Sequence, residues 1–202
     1  MSAGESEVET PKEIRAFIAL KSPPAWDSAL SELQSRLKEK LRSKAFKWTK
    51  LEQIHITLRF LGYIQPEETA TIVERINAEV IPERTAFNLR CEGLGCFPNT
   101  RRPRVFWAGI IGDTASLQAL HASVTEATRT FGEPPEDRPF KAHLTLARIQ
   151  QPERSVLDEL DHAIARGFRI ESEWNVNKLI LMQSHLSPHG ATHEPITSWP
   201  LN

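Results

Sequence analysis

The sequence predicts an α+β protein of two similar lobes packed around a pseudo-twofold axis. Three observations carry this reading. Apolar patterns run strand-helix-strand-helix-strand twice along the chain. Phe17 precedes His55 by 38 residues, and Val105 precedes His143 by 38. Leu30, Leu33 and Leu37 shifted by 87 residues land on Leu117, Leu120 and Val124, while Gln65-Pro66-Glu67 shifted by 86 lands on Gln151-Pro152-Glu153. Few letters are shared, so the repeat lies in pattern.

Each element has a local reason. Residues 13–20 read as a strand, broken by Pro23-Pro24. Leu30, Leu33, Leu37 and Leu41 recur at helical spacing and predict a helix over 26–43. A strand over 51–61 follows, closed by Gly62. Gln65-Pro66-Glu67-Glu68 is a helix start, with Pro in the first turn and acids at the positive helix end. Ile72, Val73, Ile76 and Val80 form its apolar stripe, and 87–97 reads as a strand. In the second half, 104–111 is a strand. Asp113 caps a helix with Leu117, Leu120, Val124, Ala127 and Phe131 inward. A strand over 140–149 comes next, then a helix with Val156, Leu157, Leu160 and Ile164 inward. From Phe168 onward one or two strands are expected, most clearly over 178–183.

Composition sets the bounds. The chain has 202 residues, 40% hydrophobic and 25% charged, which is ordinary for a globular protein with its own core. No run of 18 apolar residues exists, so no transmembrane helix is expected. The net charge of −1 excludes a strongly basic nucleic-acid coat, and any phosphate-binding surface must be local. The basic run over 36–50 reads as a solvated helix face. The first residues are acidic and lack a signal-peptide pattern. Residues 1–13 read as a mobile tail. Residues 14–202 read as one bilobal domain, with repeat halves at about 14–101 and 102–186. Cys91 and Cys96 make neither a disulfide framework nor a zinc site. They read as small apolar strand residues in a reducing, cytoplasmic setting.

The strongest letter-level match between the halves is His55-Ile56-Thr57-Leu58 against His143-Leu144-Thr145-Leu146. In a strand, alternate side chains share a face. His55 and Thr57 therefore point one way while Ile56, Leu58 and Phe60 point to a core. His143 and Thr145 repeat this arrangement. One such strand is usually only a strand with a polar face. Two copies at matching positions allow both to face one groove. Two imidazoles titrating near neutrality can then serve as base and acid. Two hydroxyls can donate to phosphoryl oxygens. Together they suit in-line displacement at phosphorus.

These stretches, extended to His55–Gly62 and His143–Arg148, resemble the two signature motifs of the 2H phosphoesterase superfamily. Residues 15–20, 93–98, 103–109 and 184–191 make the chain most similar to its RNA 2′,3′-cyclic phosphodiesterases, historically called 2′-5′ RNA ligases. The resemblance spans roughly residues 14–200. It implies antiparallel sheets lining a central groove, with helices outside. It also implies metal-independent, cofactor-free opening of a 2′,3′-cyclic phosphate to a 2′-phosphate. By analogy, His55 protonates the departing 3′ oxygen and His143 activates water. Thr57, Thr145 and Arg148 bind the phosphate. Implied partners are RNA ends or cyclic nucleotides and no membrane, and a groove within one chain makes monomer the default state. RNA 2′-5′ ligation uses the same acid–base pair. Two further functions compete with hydrolysis: a non-catalytic RNA or nucleotide binder, and a metallohydrolase with His55 and His143 as ligands.

Strict alternation sets two puzzles. It puts Arg148 on the face away from His143 unless the strand bulges near Ala147. It puts Arg59 on the groove face, where the resemblance gives it no role. His185, His189 and His193 are spaced four apart, but Pro188 and Gly190 break the run. They read as turn and surface histidines, with His193 standing where the family pattern expects an aromatic such as Tyr. His121 and His162 carry no partner pattern. Arg101, Arg102 and Arg104 read as a solvated linker, and Phe97 and Trp107 as core aromatics rather than base-stacking rings.

Overall fold

The computed structural model describes residues 13–187 and 190–202. The N-terminal tail expected over 1–13 and His189 therefore fall almost wholly outside the described residues. Among the described residues four α-helices lie outside two antiparallel sheets, as the α+β reading requires. The strands are β1 (Ile14–Lys21), β2 (Phe46–Trp48), β3 (His55–Ile64), β4 (Phe87–Phe97), β5 (Val105–Gly112), β6 (His143–Ile149), β7 (Trp174–Val176), β8 (Lys178–Ser187) and β9 (Gly190–Pro200). The helices are α1 (Asp27–Leu41), α2 (Glu68–Arg75), α3 (Thr114–Ala127) and α4 (Arg154–Arg166).

The first sheet has the order β3-β1-β8-β9, and the second β2-β6-β5-β4-β7. The repeat explains this order. β1 and β3 of the first half match β5 and β6 of the second. Each pair is completed by a long strand from the other half: β8 joins β1, and β4 joins β5. The halves thus exchange their third strands, which pattern reading alone did not disclose. One continuous core runs beneath both sheets, from Ile18 and Ile56 to Phe106 and Leu144.

Helix chemistry follows the sequence closely. α1 buries Leu30, Leu33, Leu37 and Leu41, with Gln34 bonded to the Thr49 and Leu146 carbonyls. Asp113 caps α3 by accepting from the Ser116 amide. α2 passes into a π-helical turn over Ile76–Val80, which keeps Ile76 and Val80 inward. Three boundaries differ from expectation. Leu51–Gln53 is a 3-10 turn, so β3 starts at His55. Gly62 does not end β3, because its positive φ of 68° lets the strand bulge and continue to Ile64. β6 starts at His143 rather than near Phe140. Among the described residues no helix is long and apolar enough to cross a membrane.

Candidate active site

β3 and β6 approach each other between the sheets and present the two motifs. On β3, half-buried His55 and Thr57 alternate with buried Ile56 and Leu58. On β6, half-buried His143 and Thr145 alternate with Leu144 and Leu146, both fully buried. The two imidazoles are held in the same way. His55 Nδ1 lies 2.7 Å from the Gln53 carbonyl, and His143 Nδ1 lies 2.7 Å from the Lys141 carbonyl. A carbonyl only accepts, so each neutral ring carries its proton on Nδ1 and keeps Nε2 as an acceptor. Thr57 Oγ1 donates to His55 Nε2 at 3.1 Å.

The bulges settle both alternation puzzles. In the β5–β6 ladder, Phe106 pairs with Ala147 and Trp107 with Thr145, so Leu146 is the extra residue. Leu146 and Ala147 are then buried side by side, and Arg148 returns to the face of His143 and Thr145. Its charge is felt by His55, His143 and His193 alike. The β1–β3 ladder carries the same bulge, with Ile18 opposite Arg59 and Ala19 opposite Thr57. This turns Arg59 away from the groove, contrary to expectation. Arg59 is buried and donates to the carbonyls of Phe60, Phe131 and Glu133. Phe60 swings onto the groove face instead of into the core, with the Arg15 guanidinium 4.5 Å above its ring.

Aromatic rings wall both imidazoles. Phe17 stacks on His55 with centroids 4.8 Å apart, and His193 meets His55 edge-on at 5.4 Å. Phe97 meets His143 edge-on at 4.9 Å, and Trp107 lies at 6.5 Å. The Lys141 ammonium sits 4.4 Å above Trp107. Phe97 and Trp107 are therefore wall residues of the site rather than general core. His193 is likewise not a surface histidine: it stands opposite Ser184 in the β8–β9 ladder, on the site face of the sheet. His185 is exposed and pairs with Glu194 at 2.7 Å. Lys47, read as part of a helix face, lies on β2 opposite Arg148. Arg101, Arg102 and Arg104 are exposed in and beside the β4–β5 turn, as a linker would be. Cys91 and Cys96 are buried free thiols, both pushed up to about 12 by burial.

Burial dominates the electrostatics. It lowers His55 to about 4, helped by the charges of His193, His143 and Arg148 and opposed by the Gln53 hydrogen bond. Burial also lowers His143, with Lys141 and Arg148 adding to it. Both rings are neutral at pH 7 in the free protein. A stability prediction follows. The folded value of His55, about 4, lies below its unfolded value of about 6.5. Between these the unfolded chain binds the proton and the folded chain does not. Stability is full above about pH 6.5 and falls as pH drops through about 4, by roughly 3 kcal/mol for this group. Urea unfolding between pH 7 and pH 4 is expected to show this loss, and His55→Gln to shrink it.

The family model for LigT-like phosphoesterases matches residues 20–107 and 111–192. The chain belongs to this family. Among its relatives, the RNA 2′,3′-cyclic phosphodiesterase of Archaeoglobus fulgidus is 34% identical over 91% of this chain and 98% of its own. That of Aquifex aeolicus is 28% identical over 94% of this chain and 98% of its own. The crystal structure of TT0787 from Thermus thermophilus superposes with a TM-score of 0.73 at 28% identity, covering 93% of this chain and 98% of the other. E. coli LigT complexed with 3′-AMP shares the fold, with a TM-score of 0.66 at 22% identity and coverage of 94% and 99%. The matched ranges cover most of both lobes of this LigT-like phosphoesterase and include His55, Thr57, His143, Thr145 and Arg148. His193 lies just beyond them. The signal for His193 was its place in a strand pairing with β8, obscured by the Pro and Gly around it. Phe17 gave no signal, since it sits in the apolar run Ala16–Leu20 and reads as one more core residue.

Proposed function

We propose that this chain hydrolyses RNA 2′,3′-cyclic phosphate ends to 2′-phosphates by two-histidine acid–base catalysis, without a metal or cofactor. The observation that carries the reading is the matched anchoring of His55 and His143 through Nδ1, which leaves two Nε2 atoms for proton transfer. The names of the relatives support the substrate class.

In this reading His143 Nε2 takes a proton from water as its oxygen bonds to phosphorus. The bond from phosphorus to O3′ breaks, and His55 Nε2 gives its proton to that oxygen. His55 is neutral in the free protein at pH 7 and must gain this proton on binding, where the negative phosphodiester favours the imidazolium. Thr57 then turns its hydroxyl from His55 to a non-bridging oxygen, and Thr145 donates to another. Arg148 supplies the charge-assisted contact. The groove is built within one chain, so a monomer is a sufficient catalyst.

The test is a short RNA ending in a 2′,3′-cyclic phosphate, incubated with the protein in excess EDTA. A 2′-phosphate product supports the proposal. No turnover until a divalent metal is restored sinks it in favour of a metallohydrolase. RNA binding without turnover under either condition sinks it in favour of a binding module. Arg148→Gln is expected to lower kcat/KM by roughly 10–100-fold, the scale of one charged hydrogen bond. Steady-state kinetics at fixed salt checks this, and a change under twofold would remove Arg148 from the phosphate site.

A further inference from the structure

The two imidazoles have unlike neighbours. His143 is walled by Phe97 and Trp107, which carry no titratable group. His55 is walled by Phe17 and by a third imidazole, His193. The three rings form a closed triangle: Phe17 to His55 is 4.8 Å, Phe17 to His193 is 4.9 Å, and His55 to His193 is 5.4 Å. His193 stands nearly perpendicular to both partners, at 78° and 85°. It packs against the side of the Phe17–His55 stack, so the His55 ring cannot swing toward β9 without displacing it. The Nδ1 atom of His193 is buried and lacks a well-aligned hydrogen-bond partner among the described residues, while the neighbouring Thr192 backbone favours its protonated form.

We propose that His193 is a positioning residue for His55, fixing the ring and, through its own protonation, governing how readily His55 holds a proton. The catalytic use of that proton rests on the function proposed above, whereas the coupling of the two rings does not.

The charged groups around His193 define its field. Burial disfavours its imidazolium most, then Arg15 of β1, with Arg148 of β6 and His185 of β8 adding to this and the Thr192 backbone opposing it. Glu194, its neighbour on β9, is engaged by His185. Lys21 and Glu52 line the small gap between His55 and His193 with opposite charges. A proton on His193 places a positive charge on a ring whose centroid lies 5.4 Å from that of His55, and this holds the proton affinity of His55 down. Two unit charges at this separation interact appreciably even under strong screening. Coupled sites of this kind titrate as a pair.

The experiment follows the ring protons of all resolved histidines by NMR from pH 8 to pH 3, in wild type, His193→Phe and His193→Gln. His55 is assigned by its loss in His55→Gln. The His55 midpoint is expected to rise by about half a unit or more in both His193 variants. The His143 midpoint, on the other sheet, is expected to move less. A pH profile of kcat/KM, which reports free-enzyme groups, is expected to show one limb displaced by the same amount. A His55 midpoint unmoved in both variants overturns the proposal, and so does a fall. The glutamine variant guards against a packing defect specific to phenylalanine. Absence of turnover by wild-type protein would sink the proposed function instead, while the NMR midpoints would still decide the role of His193.

Discussion

Alanine at His143 is expected to lower turnover of an RNA 2′,3′-cyclic phosphate by roughly 10²–10⁴-fold, the usual contribution of one positioned acid or base. Alanine at His55 is expected to cost a similar factor. The loss should fall on kcat, because in the proposed mechanism phosphate binding is assigned to the threonines and Arg148, which both variants keep. The double variant should be little worse than the poorer single one, since groups acting in one concerted step do not contribute additively. Single-turnover assays in EDTA, with product separation, measure all three. The carbonyl of Lys141 makes the reading specific. His143→Asn keeps a donor for that carbonyl and preserves local structure, yet offers no base. If His143→Asn retains activity within about threefold of wild type, His143 is not the base, whatever its place in the groove.

The second large effect is on stability, from Arg59. Its guanidinium reaches three carbonyls, two of which (Phe131 and Glu133) belong to the segment after α3. The same segment is joined to β3 by the Glu133 amide, which donates to the Leu61 carbonyl at 2.7 Å. Gly132 permits this approach: a Cβ there would collide with the Leu61 carbonyl oxygen, and its φ is +58°. Arg59 is thus a bolt between the strand that carries His55 and the chain that leads to His143. Arg59→Met removes the donors and leaves buried carbonyls unpaired. The expected loss is about 3 kcal/mol or more, given that hydrogen bonds from charged groups are worth ~1.5–3 kcal/mol each. Chemical denaturation at pH 7 tests it. A loss below about 1 kcal/mol would mean that water replaces the guanidinium and that the bolt is ornamental.

Much of the fold was legible because helices announce themselves by spacing. Leu30, Leu33 and Leu37 and their partners Leu117, Leu120 and Val124 all landed in the core. The two His-x-Thr strands were legible because their polar residues alternate with apolar ones on matched elements. Three things escaped. Short edge strands such as Phe46–Trp48 and Trp174–Val176 have too few residues to show a period. β9 contains Pro195, which an edge strand tolerates at a register shift but which reads locally as a break. The bulges at Leu58 and Leu146 insert one residue into one strand of a pair, so they depend on the partner strand and leave no local trace. They reversed the expected facing of Arg59 and Phe60 and brought Arg148 to the site. For the same reason His193 escaped, since its value comes from β1 and β3 neighbours distant in sequence.

The exchange of third strands has a consequence for how the protein is made. β1 emerges from the ribosome well before β8 and lacks one of its two neighbours until β8 is synthesised; Arg15 and Ser184, hydrogen-bonded across those strands, are 169 residues apart in sequence. The sheet that carries His55 is therefore the last to close. Neither half can bury its own sheet alone, so a chain cut between the halves yields two fragments that need each other as partners. Mixed together, they should regain the fold by complementation, and the intact chain should unfold in one cooperative step rather than lobe by lobe.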